Sequence, residues 1–118
     1  MRQPPSIDTY GGGGFRVSGL WRPGSLLLLD DIPSLWRPRS IAEVTPDDFA
    51  EVEAAGLAVS EFVLLGTGTA QSLPSKAVRD RLRQAGLGLE FMSTEGAART
   101  YGVLISEGRR VAVALIAV

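Results

Sequence analysis

The chain has 118 residues, of which 45% are hydrophobic and 21% charged, and a net charge of -1. That length suits one domain with a real core, and the charge gives no long-range field to attract nucleic acid or anionic lipid. With no cysteine and no histidine, disulfides, thiolate nucleophiles, zinc–thiolate sites and histidine acid–base chemistry are excluded.

Met1 to Ser6 is expected as a loosely held tail, and Ile7 to Val118 as a single domain. No apolar run follows Arg2, and no stretch reaches membrane-spanning length. A cytoplasmic protein without membrane insertion is the default expectation. Ile7, Thr9 and Phe15 to Val17 are β-prone residues around Gly11 to Gly14. The glycines read as a wide turn or bulge between two strands. An anion cradle would need a helix N-terminus directly after them, and Phe15-Arg16-Val17 reads as strand instead.

Ser25 to Leu29 follows Pro23-Gly24 and holds four leucines without alternation, the pattern of a strand buried on both faces. Asp30-Asp31-Ile32-Pro33 then breaks it. Two aspartates there suit a solvated turn, and a Mg²⁺ site would want a third carboxylate nearby. Leu20-Trp21-Arg22-Pro23-Gly24-Ser25 and Leu35-Trp36-Arg37-Pro38-Arg39-Ser40 are near copies. Either both tryptophans cap turns at the core edge, or Trp21, Arg22, Trp36 and Arg37 anchor a protein partner, since Trp and Arg are favoured at interfaces.

Thr45-Pro46-Asp47-Asp48 starts a helix that Gly56 stops. Phe62 to Leu65 is a second continuously apolar strand, followed by Gly66-Thr67-Gly68-Thr69. The third glycine of a dinucleotide fingerprint falls on Gln71, and Lys76 lacks the Walker spacing, so both phosphate motifs fail and no cofactor is expected. A loop from Gly66 to Pro74 remains at the carboxyl end of a strand, where open α/β sheets place ligands. Ser75 to Ala85 is predicted as a helix with Val78 and Leu82 inward and Gly86 as its stop. Leu87 to Met92 is a short strand. Ser93 or Thr94 then caps a helix carrying Ala97, Ala98, Tyr101 and Leu104 at helical spacing. Val111 to Val118 is apolar at both parities and is predicted to run through the middle of the sheet. The alternation of strands and helices implies a three-layer α/β domain with parallel strand pairs.

Phe15-Arg16-Val17-Ser18-Gly19, the Ser25 to Leu29 strand, Glu61-Phe62-Val63-Leu64-Leu65-Gly66-Thr67-Gly68, the Leu87 to Thr94 run, Ala98-Arg99-Thr100-Tyr101 and Glu107-Gly108-Arg109-Arg110-Val111-Ala112 occur in this order. Together they resemble the Mth938-like family of small domains, which includes mitochondrial respiratory complex I assembly factor 3 and many uncharacterised bacterial and archaeal proteins. The resemblance implies a central mixed sheet with helices on its faces and an added N-terminal β-hairpin. It also implies a role like that of the eukaryotic member, which acts with a partner assembly factor at the inner mitochondrial membrane and is not known as an enzyme. Gly102 stands where the family commonly has Asn.

The resemblance and the missing acid–base set lead to a non-catalytic protein-interaction domain, with assistance to respiratory complex assembly as the implied role. A protein partner is expected, self-association is left open, and no metal site is expected. The alternative is a small-molecule or anion-binding protein or enzyme built on Gly66, Thr67, Gly68 and Thr69. There Arg99 would hold a carboxylate or phosphate, and Tyr101 or Lys76 would move a proton.

Overall fold

Residues 2–118 are described by a computed structural model. The glycine run closes a hairpin, in which β1 (Ile7–Gly11) pairs antiparallel with β2 (Gly14–Val17). A second turn at Ser18-Gly19 adds β3 (Leu20–Pro23), so the expected hairpin is part of a three-stranded sheet. Gly14 permits that sheet to close. A Cβ there would lie 2.4 Å from the Arg22 carbonyl oxygen and 2.9 Å from the Trp21 ring.

The chain then turns at Gly24 into β4 (Ser25–Leu29), the first strand of the main sheet. Asp30 and Asp31, at φ 51° and 65°, form a two-residue turn into β5 (Ile32–Trp36). Aspartate tolerates this left-handed region better than most residues. The expected break is therefore the tip of a hairpin. The predicted helix from Thr45 divides. Pro46–Phe49 is a 3-10 turn, and only α1 (Ala50–Ala55) is α-helical.

The remaining elements are β6 (Phe62–Gly66), α2 (Lys76–Gln84), β7 (Gly88–Met92), α3 (Thr94–Ser106) and β8 (Ala112–Leu115). The main sheet runs β5-β4-β8-β6-β7, with β8 antiparallel to β4 and parallel to β6. The terminal segment does lie at the centre of a mixed sheet, though its strand ends at Leu115.

Both faces of the main sheet are covered. Leu27, Val63, Leu65, Ala112 and Ala114 pack with Phe49, Val52, Val78 and Leu82 on one side. Leu26, Leu28, Leu64, Val113 and Leu115 pack on the other with Phe15 and Val17 of the small sheet and Ala97, Tyr101 and Leu104 of α3. Full burial of a leucine or valine contributes roughly 1.5–3 kcal/mol. Burial on both faces, not the weak strand preference of alanine, makes Ala112–Leu115 a strand.

Residues 2–6 lie against this frame. Arg2 pairs with Asp31 at 2.8 Å and donates to the Arg109 carbonyl at 2.9 Å. The Ser6 carbonyl accepts from the Ser18 amide. Among the described residues, no helix is long and apolar enough to cross a membrane.

Candidate functional site

Two places carry the residues singled out by sequence. The first lies at the corner where β3 passes into β4. Leu20 to Pro23 form one wall of an open cleft of about 360 Å³, Ser34 and Leu35 form the other, and Ser25 and Leu26 lie between. Leu20 and Leu35 are largely exposed, Leu35 at 74%. Leu35 approaches Gly24, where a Cβ would sit 2.7 Å from its Cδ1. Trp21 is 43% exposed and lies over Gly14 on the outer side of the small sheet. Arg22 is half-buried, and among the described residues its side chain has no hydrogen-bond or ion-pair partner.

Trp36 and Arg37, the matching pair of the second copy, are placed differently. Trp36 is 4% exposed and belongs to the core. Its Nε1 donates to the Asp48 carbonyl at 3.1 Å, and its ring meets Phe49 edge-on at 5.6 Å. Arg37 donates to both carboxylate oxygens of Asp48, each at 2.8 Å. That guanidinium, with help from the Thr45 amide and hydroxyl, holds the Asp48 carboxyl below the usual carboxylate range against the opposing effect of burial. The four residues do not form one patch. Trp21 and Arg22 border the cleft from opposite faces of β3, whereas Trp36 and Arg37 fasten β5 to the turn before α1.

The second place lies at the carboxyl end of β6. Gly66 is buried, and a Cβ there would come within 2.8 Å of Leu115 Cδ2 and 2.9 Å of Thr94 Cα. The glycine lets the start of α3 press against the sheet. Thr67 is buried. Its amide donates to the Met92 carbonyl, and its hydroxyl accepts from the Ser72 amide at 3.1 Å and lies 2.6 Å from the Ala70 carbonyl. Thr94 Oγ1 accepts from the Gly68 amide at 3.0 Å and donates to the Ile116 carbonyl at 2.7 Å. The Thr94 amide donates to the Gly68 carbonyl. These bonds make the start of the loop rigid.

Gly68 and Thr69 border a shallow hollow of about 200 Å³ with Tyr10, Glu95 and Val118. Arg99 borders a neighbouring hollow of about 160 Å³ that shares Tyr10 and Glu95. Arg99 pairs with Glu95 at 3.2 Å, and the neighbouring Glu95 carboxylate raises the Tyr10 hydroxyl above its ordinary pKa. Tyr101 lines neither hollow. Its hydroxyl donates to the Pro5 carbonyl at 2.6 Å, and burial, assisted by Asp31, pushes it up to about 12. Lys76 pairs with Asp80 on the surface of α2 at 2.7 Å. Tyr10 and Glu95 carried no sequence signal, because only the packing of β1 on α3 brings them to the loop. Among the described residues, no group of three or more His, Cys, Asp or Glu is placed to hold a metal ion.

Relatives share most of this chain. An uncharacterized protein of Rhodobacter capsulatus is 37% identical over 93% of the chain and 82% of its own length. Assembly factor 3 of the human NADH dehydrogenase [ubiquinone] 1 alpha subcomplex is 31% identical over 93% of the chain, which spans 59% of that protein. A crystal structure of a Bordetella parapertussis protein superposes with a TM-score of 0.86 at 30% identity, covering 99% of this chain and 98% of that one. A Bordetella pertussis protein described as an Mth938-like domain superposes with a TM-score of 0.76 at 28% identity, over 98% of this chain and 89% of that one. With its residues 7–116 matched by the family model, the chain belongs to the family described as a protein of unknown function, DUF498/DUF598.

Proposed function

We propose that this chain is a non-catalytic protein-interaction domain that helps assemble a respiratory complex, with the cleft between Leu20–Pro23 and Leu35 as its docking surface. The observation that carries the reading is the cleft itself. Two large aliphatic side chains stand exposed around one concavity, with Trp21 at its rim, in a protein that buries the leucines of β4 and β6 almost completely. Apolar surface gathered in this way marks contact sites, and Trp beside Arg is the composition of an interface anchor. The likeness to the human assembly factor supports the choice of partner class.

The test is a photo-crosslinking residue at Leu35, introduced in the native host. The expected product is a covalent adduct with a subunit or assembly protein of a respiratory complex, absent when the probe stands at the exposed Val103 of α3. Adducts of equal yield at both positions, or none at Leu35, would remove this surface from consideration.

The paired hollows around Tyr10 and Glu95 support a second reading, in which a carboxylate or phosphate binds Arg99 beside Gly68 and Thr69. Glu95 already neutralises Arg99, so such a ligand must displace it, which weakens this reading relative to the first. A metabolite that raises the melting temperature, with the rise abolished by Arg99→Ala, is the result it requires.

A further inference from the structure

We propose that the cleft receives an extended, acidic segment of a partner protein, with an apolar side chain seated between Leu20 and Leu35 and a carboxylate on Arg22. The inference rests on the interaction reading and adds what the partner must carry.

Arg22 supplies the charge. Every other arginine among the described residues pairs with a carboxylate within 4 Å or donates to a carbonyl. Arg22 is half-buried on an apolar wall and does neither. A guanidinium that has lost part of its hydration and gained no partner is poised for a carboxylate, which it can hold with two parallel hydrogen bonds. No residue lining the cleft is acidic, so none of the described residues there competes for that position.

The main chain supplies the shape. The two-residue turn at Ser18-Gly19 and the pairing of Val17 with Leu20 commit the main-chain groups of Leu20 and Arg22 to β2. Those of Trp21 then point away from the sheet, at its free edge. The same alternation, from the pairing of Leu29 with Ile32, leaves the N–H and C=O of Leu35 free on β5. Both strands are edges of their sheets. An extended segment pairs with such groups, and a helix, whose main chain is internally bonded, does not. A second copy of this chain fits less well. Two-fold contact through the cleft brings the same lining residues from both copies, and none of them is acidic, so a second copy offers Arg22 no carboxylate there.

The test is selection from a random nine-residue peptide display library on the folded chain. The enriched peptides are expected to place Asp or Glu within two residues of an aliphatic or aromatic side chain. Bound, they shift the amide signals of Trp21 and Leu35. Arg22→Gln weakens them roughly tenfold or more, and added salt weakens them further. Enrichment of peptides without acids, binding that Arg22→Gln leaves unchanged, failure to enrich any peptide at this cleft, or dimerisation of the chain that Leu35→Asp abolishes would each overturn the proposal. The two readings fail separately. A crosslink from Leu35 to a helical or basic segment of a respiratory protein keeps the docking surface and removes the acidic strand. Acidic peptides that bind while no respiratory protein crosslinks do the reverse.

Discussion

The two Leu-Trp-Arg-Pro segments differ little in sequence and greatly in what surrounds them. The second ends β5, where Trp36 sinks between the main sheet and Phe49 and Arg37 closes on Asp48. The first is the free edge of the small sheet, where Trp21 stays partly exposed and, among the described residues, no carboxylate pairs with Arg22. The difference comes from the partners that the fold supplies. The turn at Thr45–Asp48 packs on the second copy and not on the first. A Trp-Arg pair is therefore structural or available according to its neighbours, and the cleft is informative because its twin shows what a satisfied version looks like.

The largest effect that this comparison predicts is on stability. Trp36→Ala should cost about 3–5 kcal/mol in urea unfolding, the range for an aromatic lost from a core. Trp21→Ala should cost about 1 kcal/mol or less. Equal costs would mean that the two environments are alike and that the cleft is not free surface.

Asp48 gives a smaller and pH-dependent effect. Asp48→Asn should lower stability by about 1–2 kcal/mol at neutral pH, through the lost turn cap and the weakened Arg37 bonds. The Asp48 carboxyl is held below its unfolded value. Its contribution is thus complete above the unfolded pKa of about 3.9 and is lost as pH falls through the lower folded value. Stability measured from pH 6 to pH 2 should fall more steeply for the wild type than for Asp48→Asn across that acidic limb. Parallel profiles would show that Arg37 does not hold this carboxylate in solution.

The smallest effect is the one that separates the copies most sharply. Arg22→Gln should change unfolding free energy by no more than about 0.5 kcal/mol, as expected of a side chain with no partner. A clear loss of stability would reveal an interaction inside the folded chain and would close Arg22 to a ligand.

The layers and the main-sheet core were legible because the leucine and alanine–valine runs of β4, β6 and β8 need cover on both faces, whatever the details. β3 and β5 were not. Pro23 and Pro33 occupy them, and Leu20, Ile32 and Leu35 are exposed, so each reads as a turn between other elements. Proline is admitted there only because both strands are edges. The α1 segment was over-extended because Thr45-Pro46-Asp47-Asp48 is as good a start for a 3-10 turn as for a helix. The candidate loop from Gly66 was visible, but not the role of Thr94, whose hydroxyl holds loop and β8 together across more than twenty residues of sequence. The contrast between Arg22 and Arg37 had no sequence signal, since it depends on Asp48 reaching one and not the other.

The central position of β8 also governs how the molecule is made. Until Ala112–Leu115 is available, the earlier strands of the main sheet can form at most two separate pairs, β4 with β5 and β6 with β7, with the edges that β8 joins left open. Insertion of that last strand between them joins residues more than eighty positions apart, a late and slow kind of contact. Closure of the main sheet therefore waits on its latest segment, and strand edges left open until then are the kind of surface that invites wrong pairing.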